Sequence, residues 1–499
     1  MKSNNETKVY NGECLVLRHF EELSKIPRAS GNEKGISDYV AEFAMQRGCT
    51  AEQDERFNLI IRKPAAKGYE EVEPVIFQGH LDMVCEMNKG TTHDFANDPI
   101  SLRIDGDMIY ARGTTLGADN GIAVATALAI IDMPDMAHPE LEMILTTEEE
   151  TTMGGAFHLD ASTLKGRRMI NFDSDREGIL FVSSAGGVNI YHSVPIQWTK
   201  QEGEAGQPYK LSVHGLKGGH SGDDIIHERG NANKLLGRML DDLRRHTVFQ
   251  LAGVHGGMKV NAIPREAEAS LYLHESEIEA AEARVQEMNR ILSEEYLQTD
   301  EGVEITLQAD ASSHPDGRAG SSSGKVFDDA TKTSVIRLLA LMPSGVLSMD
   351  KAIDNLVRTS TNPGVMTTDS EAFVVQSLAR SSHRSQLDDV LRTMETLAQA
   401  IGCGCRHDSF FPGWPYRPDS GLRPLFEEVY ERRYGKPLEV KAIHAGLECG
   451  VLIEKLPELD AVSCGPNLYD IHTPDEHLSI SSVERTWAFL QDVLQAMKE

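Results

Sequence analysis

Apolar and polar positions along the first 187 residues follow two alternating periods. Residues 14–25 (CLVLRHFEELSK) and 33–46 repeat apolar side chains at helical spacing, and FNLIIRKP at 57–64 predicts a strand. Three short apolar runs follow: PVIFQ at 74–78, LEMIL at 141–145 and RMINF at 168–172. Runs of that length predict buried strands, and the alanine-rich NGIAVATALAIID at 120–132, between the first two, predicts a helix. Strands alternating with helices imply a mostly parallel sheet covered on both faces.

From about residue 188 the pattern changes. Half-exposed strands are expected at 208–214, 247–261 and 267–273, followed by a charged amphipathic helix at 275–296. Further strands fall near 355–360, 364–367 and 372–379, with a helix at 385–401. SSHPDGRAGSSSGK at 312–325 reads as a polar surface loop. After about residue 410 the α/β pattern returns, with a helix at 424–433 and strands near 438–443 and 459–464. The expected fold is therefore α/β: a mostly parallel-sheet domain built from 1–187 and 410–499, with an α+β domain inserted at 188–409.

Composition narrows what such a chain does. At 499 residues it is too long for one core, and 40% hydrophobic with 25% charged residues is an ordinary globular balance. A formal charge of −28 excludes nucleic acid and anionic membrane as expected partners and would concentrate divalent cations in acidic clefts. The N-terminal MKSNNETKVYNGE has no apolar signal core, and the longest apolar run, Ile122–Ile131, is too short to span a bilayer. The seven cysteines are scattered, and the Cys403–Cys405 pair has no second pair to complete a zinc site. Free thiols in a reducing cytoplasm are the expectation.

Candidate chemistry gathers where strands end. In EPVIFQGHLDMV, His80 and Asp82 follow a buried strand at i, i+2, which puts both on one face of an extended chain, although H-x-D alone is a weak signal. Asp119 lies in a glycine-flanked loop opening a helix, where capping is the ordinary role. The run Glu148-Glu149-Glu150 directly follows LEMIL and reads either as a solvated patch or as one wall of a cation site. Asp173 comes just past RMINF, and His472 lies in a Gly/Pro loop after the strand near 459–464. Each is ordinary alone. Together, five strand-to-loop transitions deliver His, Asp or Glu to the edge where open α/β sheets bind ligands. Two histidines among carboxylates suit Zn²⁺, with Mn²⁺ or Co²⁺ as alternatives.

The motifs GHLDMV, GADNGIA, TEEE…MGGA, NFDSD and GP…HTPDE stand in the order found in the co-catalytic di-zinc dipeptidase, aminoacylase and carboxypeptidase superfamily. IPRASGNE at 26–33, GLKGGHSGDDIIHERGNANKLL at 215–236, GGMKVNAIPREA at 256–267 and HAGLECG at 444–450 resemble, more narrowly, the bacterial aminoacyl-histidine dipeptidases (peptidase D, Xaa-His dipeptidase). The resemblance runs from near residue 14 to about 490. It implies two divalent ions, with Asp119 bridging, His80 and Asp173 completing one site, and Glu150 and His472 the other. Asp82 would orient His80. Glu149 would be the general base, an assignment that rests on the family register at Met153 and Gly155-Ala156, with Glu148 left as a surrounding or solvated acid. If the run is extended, neighbouring glutamates turn apart.

The inserted domain resembles the family's lid. His220 would help stabilise the oxyanion, Asn261 and Arg380 would hold substrate, and Gly446 would let substrate approach the backbone. The implied activity is hydrolysis of unblocked dipeptides, including Xaa-His of the β-alanyl-histidine type, by a cytoplasmic homodimer. The alternative is an aminoacylase or carboxypeptidase acting on N-acylated amino acids with the same centre. One departure bears on the acidic run: Thr151 and Thr152 stand where the family has a small apolar residue and glycine, so a positive φ at that glycine would strain Thr152.

Overall fold

The computed structural model describes residues 9–200, 206–310 and 325–498. The polar stretch at 312–325 lies outside them, apart from Lys325, which opens the strand Lys325–Phe327. Two compact units divide the chain: one draws on residues up to Ser184, on Trp414–Ala442 and on residues from Leu447 onward, and the other on Ala185–Gly413 and Ile443–Gly446.

The first unit is built on an eight-stranded sheet. Its centre is parallel: Leu141–Thr146, Val75–His80, Arg168–Asn171 and Asp460–Ser463 run side by side in that order. Thr50–Gln53 and Leu59–Lys63 join antiparallel on one side, and on the other Ile179–Ser184 joins antiparallel with Glu439–Ile443 outside it, so the sheet is mixed around a parallel core. Every residue of Val75–His80 and Leu141–Thr146 is buried, as two-sided coverage requires. Helix Ala118–Ile131 is apolar nearly all round and packs between that sheet and helix Leu15–Leu23, the position such a helix must take. Gly79 permits the approach, since a Cβ there would stand 2.5 Å from both Ala123 Cβ and Asn120 Oδ1.

A small four-stranded sheet in the same unit pairs Leu468–Tyr469, His477–Ser479, Met108–Ala111 and Leu102–Asp105. Its 470–476 connection carries His472. The sequence pattern places that histidine directly beyond the strand near 459–464, but the second, short strand intervenes.

The second unit centres on a nine-stranded sheet whose strands, among the described residues, pair antiparallel. Ala267–Leu273 shows the alternating burial of a one-sided sheet, and helices Ala232–His246, Glu275–Glu295, Asp329–Leu341 and Arg384–Ile401 bring Leu236, Met239, Leu292, Leu339 and Met394 into its core. The expected strands at 355–360 and 364–367 are one continuous strand, Val357–Thr368. All seven cysteines are free thiols, and no helix among the described residues is long and apolar enough to cross a membrane.

Candidate metal centre

His80 is the last residue of its parallel strand, and its imidazole is buried. Nδ1 lies 3.2 Å from Asp82 Oδ1, so the i, i+2 spacing does place the two together. Nε2 faces Asp119 Oδ1 at 3.3 Å, Asp173 Oδ1 at 3.7 Å and Glu149 Oε2 at 3.9 Å. The other oxygen of Asp119, Oδ2, lies 3.2 Å from Nε2 of His472, which also stands 3.1 Å from Glu150 Oε2. Three donor sets result: His80/Asp119/Asp173, Asp119/Glu150/His472 and His80/Glu149/Glu150, each with its possible ligand atoms within 4.8 Å of one another. Asp119 belongs to the first two, one oxygen toward each histidine.

Asp119 is not a capping residue. Its backbone (φ −81°, ψ 108°) departs from the helix whose first residue is Ala118, and the Asp119–Asn120 peptide is cis. Asn120 Oδ1 accepts from His80 N at 3.1 Å, and its Nδ2 donates to Phe172 O at 2.8 Å, tying the segments that carry His80 and Asp173.

The three glutamates are not extended. Glu148 takes a left-handed conformation (φ +54°), and Glu149–Thr152 forms a helical turn, with the next positive φ at Met153 (+54°). Thr152 is helical, so the strain expected there falls one residue later. The turn, not strand alternation, separates the side chains. Asp82 has a further part in this: Oδ1 accepts from Glu149 N at 3.1 Å and Oδ2 from Glu150 N at 3.2 Å, so one carboxylate serves both His80 and the backbone of the acidic turn. Ser30 donates to Asp82 Oδ2 at 2.7 Å. Glu33 Oε1 accepts from Glu148 N at 3.0 Å, while the Glu148 side chain turns to Arg56 at 2.9 Å.

Burial and mutual charge set the electrostatics of the cluster. Burial, reinforced by neighbouring carboxylates and opposed by His80, pushes the Glu149 and Asp173 acids well above their usual range. Asp119 moves the other way: burial raises it, but hydrogen bonds from His472 and His80 outweigh that and hold it low. Hydrogen bonds to Asp119 and Glu150 push His472 up to about 11, and Asp119 and Asp82 raise His80 against its burial. The carboxylates gather, largely buried, around two imidazoles, and Glu150 Oε1 is buried without a hydrogen-bond partner. Divalent cations are what this donor set fits.

Glu448, Glu476 and Arg28 are residues that motif spacing does not single out. Glu448 is fully buried near His80, accepts from Thr146 Oγ1 and Gln78 Nε2 at 2.6 Å each, and is pushed up by burial to about 7. Glu476 and Arg28 grip backbone around Asp119. Only their place within HAGLECG, HTPDE and IPRASGNE hints at them.

In the second unit, His220 opens a bridge to the Asn261 segment, pairing with Ala262, and Ser221 N donates to Asn261 O at 2.8 Å. Asn261 itself is exposed. Arg380 is buried, its Nε has no hydrogen-bond partner, and burial lowers it to about 10. His444 Nε2 lies 2.8 Å from Ser360 Oγ, and Ser360 is paired across the sheet with Arg380. Gly446 follows two residues later, just ahead of helix Glu448–Lys455.

An α/β sheet with a parallel core and this donor set define a metal-dependent hydrolase. The match to Peptidase family M20/M25/M40 spans residues 76–496, and the chain belongs to that family. It is 36% identical over 477 residues to the cytosol non-specific dipeptidase of Escherichia coli (strain K12), covering 95% of this chain and 96% of that protein. It superposes on the crystal structure of aminoacylhistidine dipeptidase from Vibrio alginolyticus with a TM-score of 0.89 at 33% identity, covering 98% of each chain. Aminopeptidase PepT from Bacillus cereus ATCC 10987 shares the fold at a TM-score of 0.54 and 14% identity, covering 97% of this chain and 98% of that one.

Proposed function

We propose that the protein is a dipeptidase that hydrolyses the peptide bond of unblocked dipeptides, Xaa-His among them, with two divalent ions, Zn²⁺ first, as cofactors. The observation that carries this reading is Asp119, whose two oxygens face His80 at 3.3 Å and His472 at 3.2 Å, as a bridging carboxylate must. The full-length likeness to two proteins named as dipeptidases supports the substrate class.

In this reading His80, Asp119 and Asp173 would hold one ion, and Asp119, Glu150 and His472 the other. Such ions polarise a carbonyl and make water acidic enough to deprotonate near neutral pH. Glu149, whose Oε2 lies 3.9 Å from His80 Nε2, would take the proton from the attacking water and return it to the leaving amine. Asp82 fixes the His80 imidazole through Nδ1 and holds the Glu149 backbone in the same grip. In the second unit Arg380 offers a buried guanidinium to the substrate carboxylate, and His220 a donor to the oxyanion, with Asn261 and Gly446 as lesser contacts.

Glu149→Ala tests the mechanism. Turnover should fall by about 10²–10⁴-fold, the span of general acid–base catalysis, with metal content by atomic absorption unchanged. A panel of free and N-acetylated dipeptides tests the substrate class. Hydrolysis of the acetylated set alone would make the protein an aminoacylase or carboxypeptidase.

A further inference from the structure

Arg28 and Glu476 are buried charges that stand beside the metal-binding side chains and address backbone. Glu476 commits both oxygens to a single turn: Oε2 accepts from Leu116 N at 2.7 Å and Gly117 N at 2.9 Å, and Oε1 from Ala118 N at 2.8 Å and Asp119 N at 3.3 Å. Arg28 takes the same turn by its carbonyl side, donating through Nη2 to Gly117 O, while Nη1 donates to Leu81 O and Asp82 O at 3.1 Å each. The turn is shaped around the guanidinium. Gly117 has φ +69°, and a Cβ there would stand 2.6 Å from Arg28 Nη2.

Nothing in a regular helix would place Asp119 where it is. Asp119 and Asn120 have non-helical backbone, and Gly117, at the helix start, has no side chain of its own to cap it. A carboxylate collecting consecutive amides forms strong, charge-assisted hydrogen bonds, and it fixes four residues at once. Glu476 also shares the 470–476 connection with His472, so the segment that delivers one donor clamps the turn that delivers another. Arg28 extends the tie to the carbonyls just beyond His80.

We propose that Glu476 and Arg28 are positioning residues for the metal centre, clamping the Leu116–Asp119 turn from its amide and carbonyl sides so that the two oxygens of Asp119 are held toward His80 and His472. This rests on the reading of Asp119 as the bridging ligand. Neither residue touches metal or substrate; both act through Asp119 and the ends of neighbouring segments.

The test uses the full-length protein and Zn²⁺ alone as the binding probe. Glu476→Gln leaves one acceptor oxygen where two served four amides. Zn²⁺ affinity, measured by competition with a coloured chelator, should fall by about 10–100-fold, as should kcat, while KM changes far less. Arg28→Lys should do the same, because one ammonium cannot serve Leu81, Asp82 and Gly117 together. The double variant should lose less than the product of the single losses, as expected of residues gripping one turn. Glu476→Asp, which keeps the charge, should recover part of the affinity, and Asp475→Ala, exposed on the same connection, should bind as wild type does. If Glu476→Gln fails to fold, Arg28→Lys carries the test with the same expected loss. Wild-type Zn²⁺ affinity and kcat in both variants, with only a lowered unfolding temperature, would overturn the positioning role. Asp119→Ala separates the two ideas: undiminished Zn²⁺ binding there would remove the bridging-ligand reading itself.

Discussion

The acidic turn places its left-handed backbone at Glu148 and Met153 and leaves Thr152 helical and exposed. A threonine there carries only the modest cost of a β-branched side chain in a helix, and its neighbour Thr151 donates to Glu148 O at 3.3 Å. Thr152→Gly should therefore lower stability by no more than about 1 kcal/mol and leave turnover close to wild type, read by thermal unfolding and dipeptide hydrolysis. A large gain in activity would mean that the threonine does hold the turn under strain. At this scale, the residues most legible in the sequence are those whose chemistry is local: His80 and Asp82 two apart, or Asp173 just past a strand. Glu448, Glu476 and Asn120 are not legible, because their partners are backbone groups or side chains brought near only by folding, such as Leu116–Asp119 N–H, Phe172 O and Gln78. No spacing rule reports a hydrogen bond between residues 358 positions apart.

Elements are legible where burial imposes a clear period. The buried strands Val75–His80 and Leu141–Thr146, and the amphipathic helix Glu275–Glu295, fall within a few residues of the expected bounds. Helix Ala232–His246 goes unpredicted within a stretch dominated by its glycines and histidines. Its signal is present: Asn231 caps Lys234 N, and Leu235, Leu236, Met239, Leu240 and Leu243 form one buried face. Strands of two or three residues, such as Leu468–Tyr469, carry too few positions to show any period, which is why the placement of His472 differs. The bend after strand Glu439–Ile443 shows an element-scale consequence of burial. His444 is held there against Ser360, and burial, aided by the charge of Arg380, lowers it to about 3. Its folded value thus lies below the ordinary 6.5, so between those values the unfolded chain binds a proton that the folded chain refuses. The stability tied to a neutral His444 is full above the unfolded value and is lost as pH falls toward the folded one. His444→Gln, which keeps a partner for Ser360, should remove about 1–2 kcal/mol of acid sensitivity between about pH 6.5 and about pH 5, measured by urea unfolding at each pH. An unchanged pH slope would show that His444 takes up its proton without cost.

The formal charge of −28 is spread over the whole chain, and most of it faces water, where salt screens it. Asp82, Asp119, Glu149, Glu150, Asp173 and Glu448 differ because they are largely withdrawn from solvent around His80 and His472. Like charges so confined oppose folding unless they are protonated or matched by cations, and burial beside other carboxylates pushes the Glu149 and Asp173 acids upward. Divalent ions held by these side chains would provide that match, and ions that bind the folded chain alone would also stabilise it by mass action. Dialysis against a chelator should therefore lower the unfolding temperature, and returning Zn²⁺ should raise it progressively with concentration, the stability gained reaching about 2.7 kcal/mol once free Zn²⁺ is about 100 times its dissociation constant. The increment should persist in Glu149→Ala, which removes a proton carrier, and should shrink sharply in Asp119→Ala, which removes the carboxylate common to two of the three donor sets. An unfolding temperature indifferent to both chelator and Zn²⁺ would mean that protons alone balance this buried charge, and that the acids around Asp119 are not a metal centre.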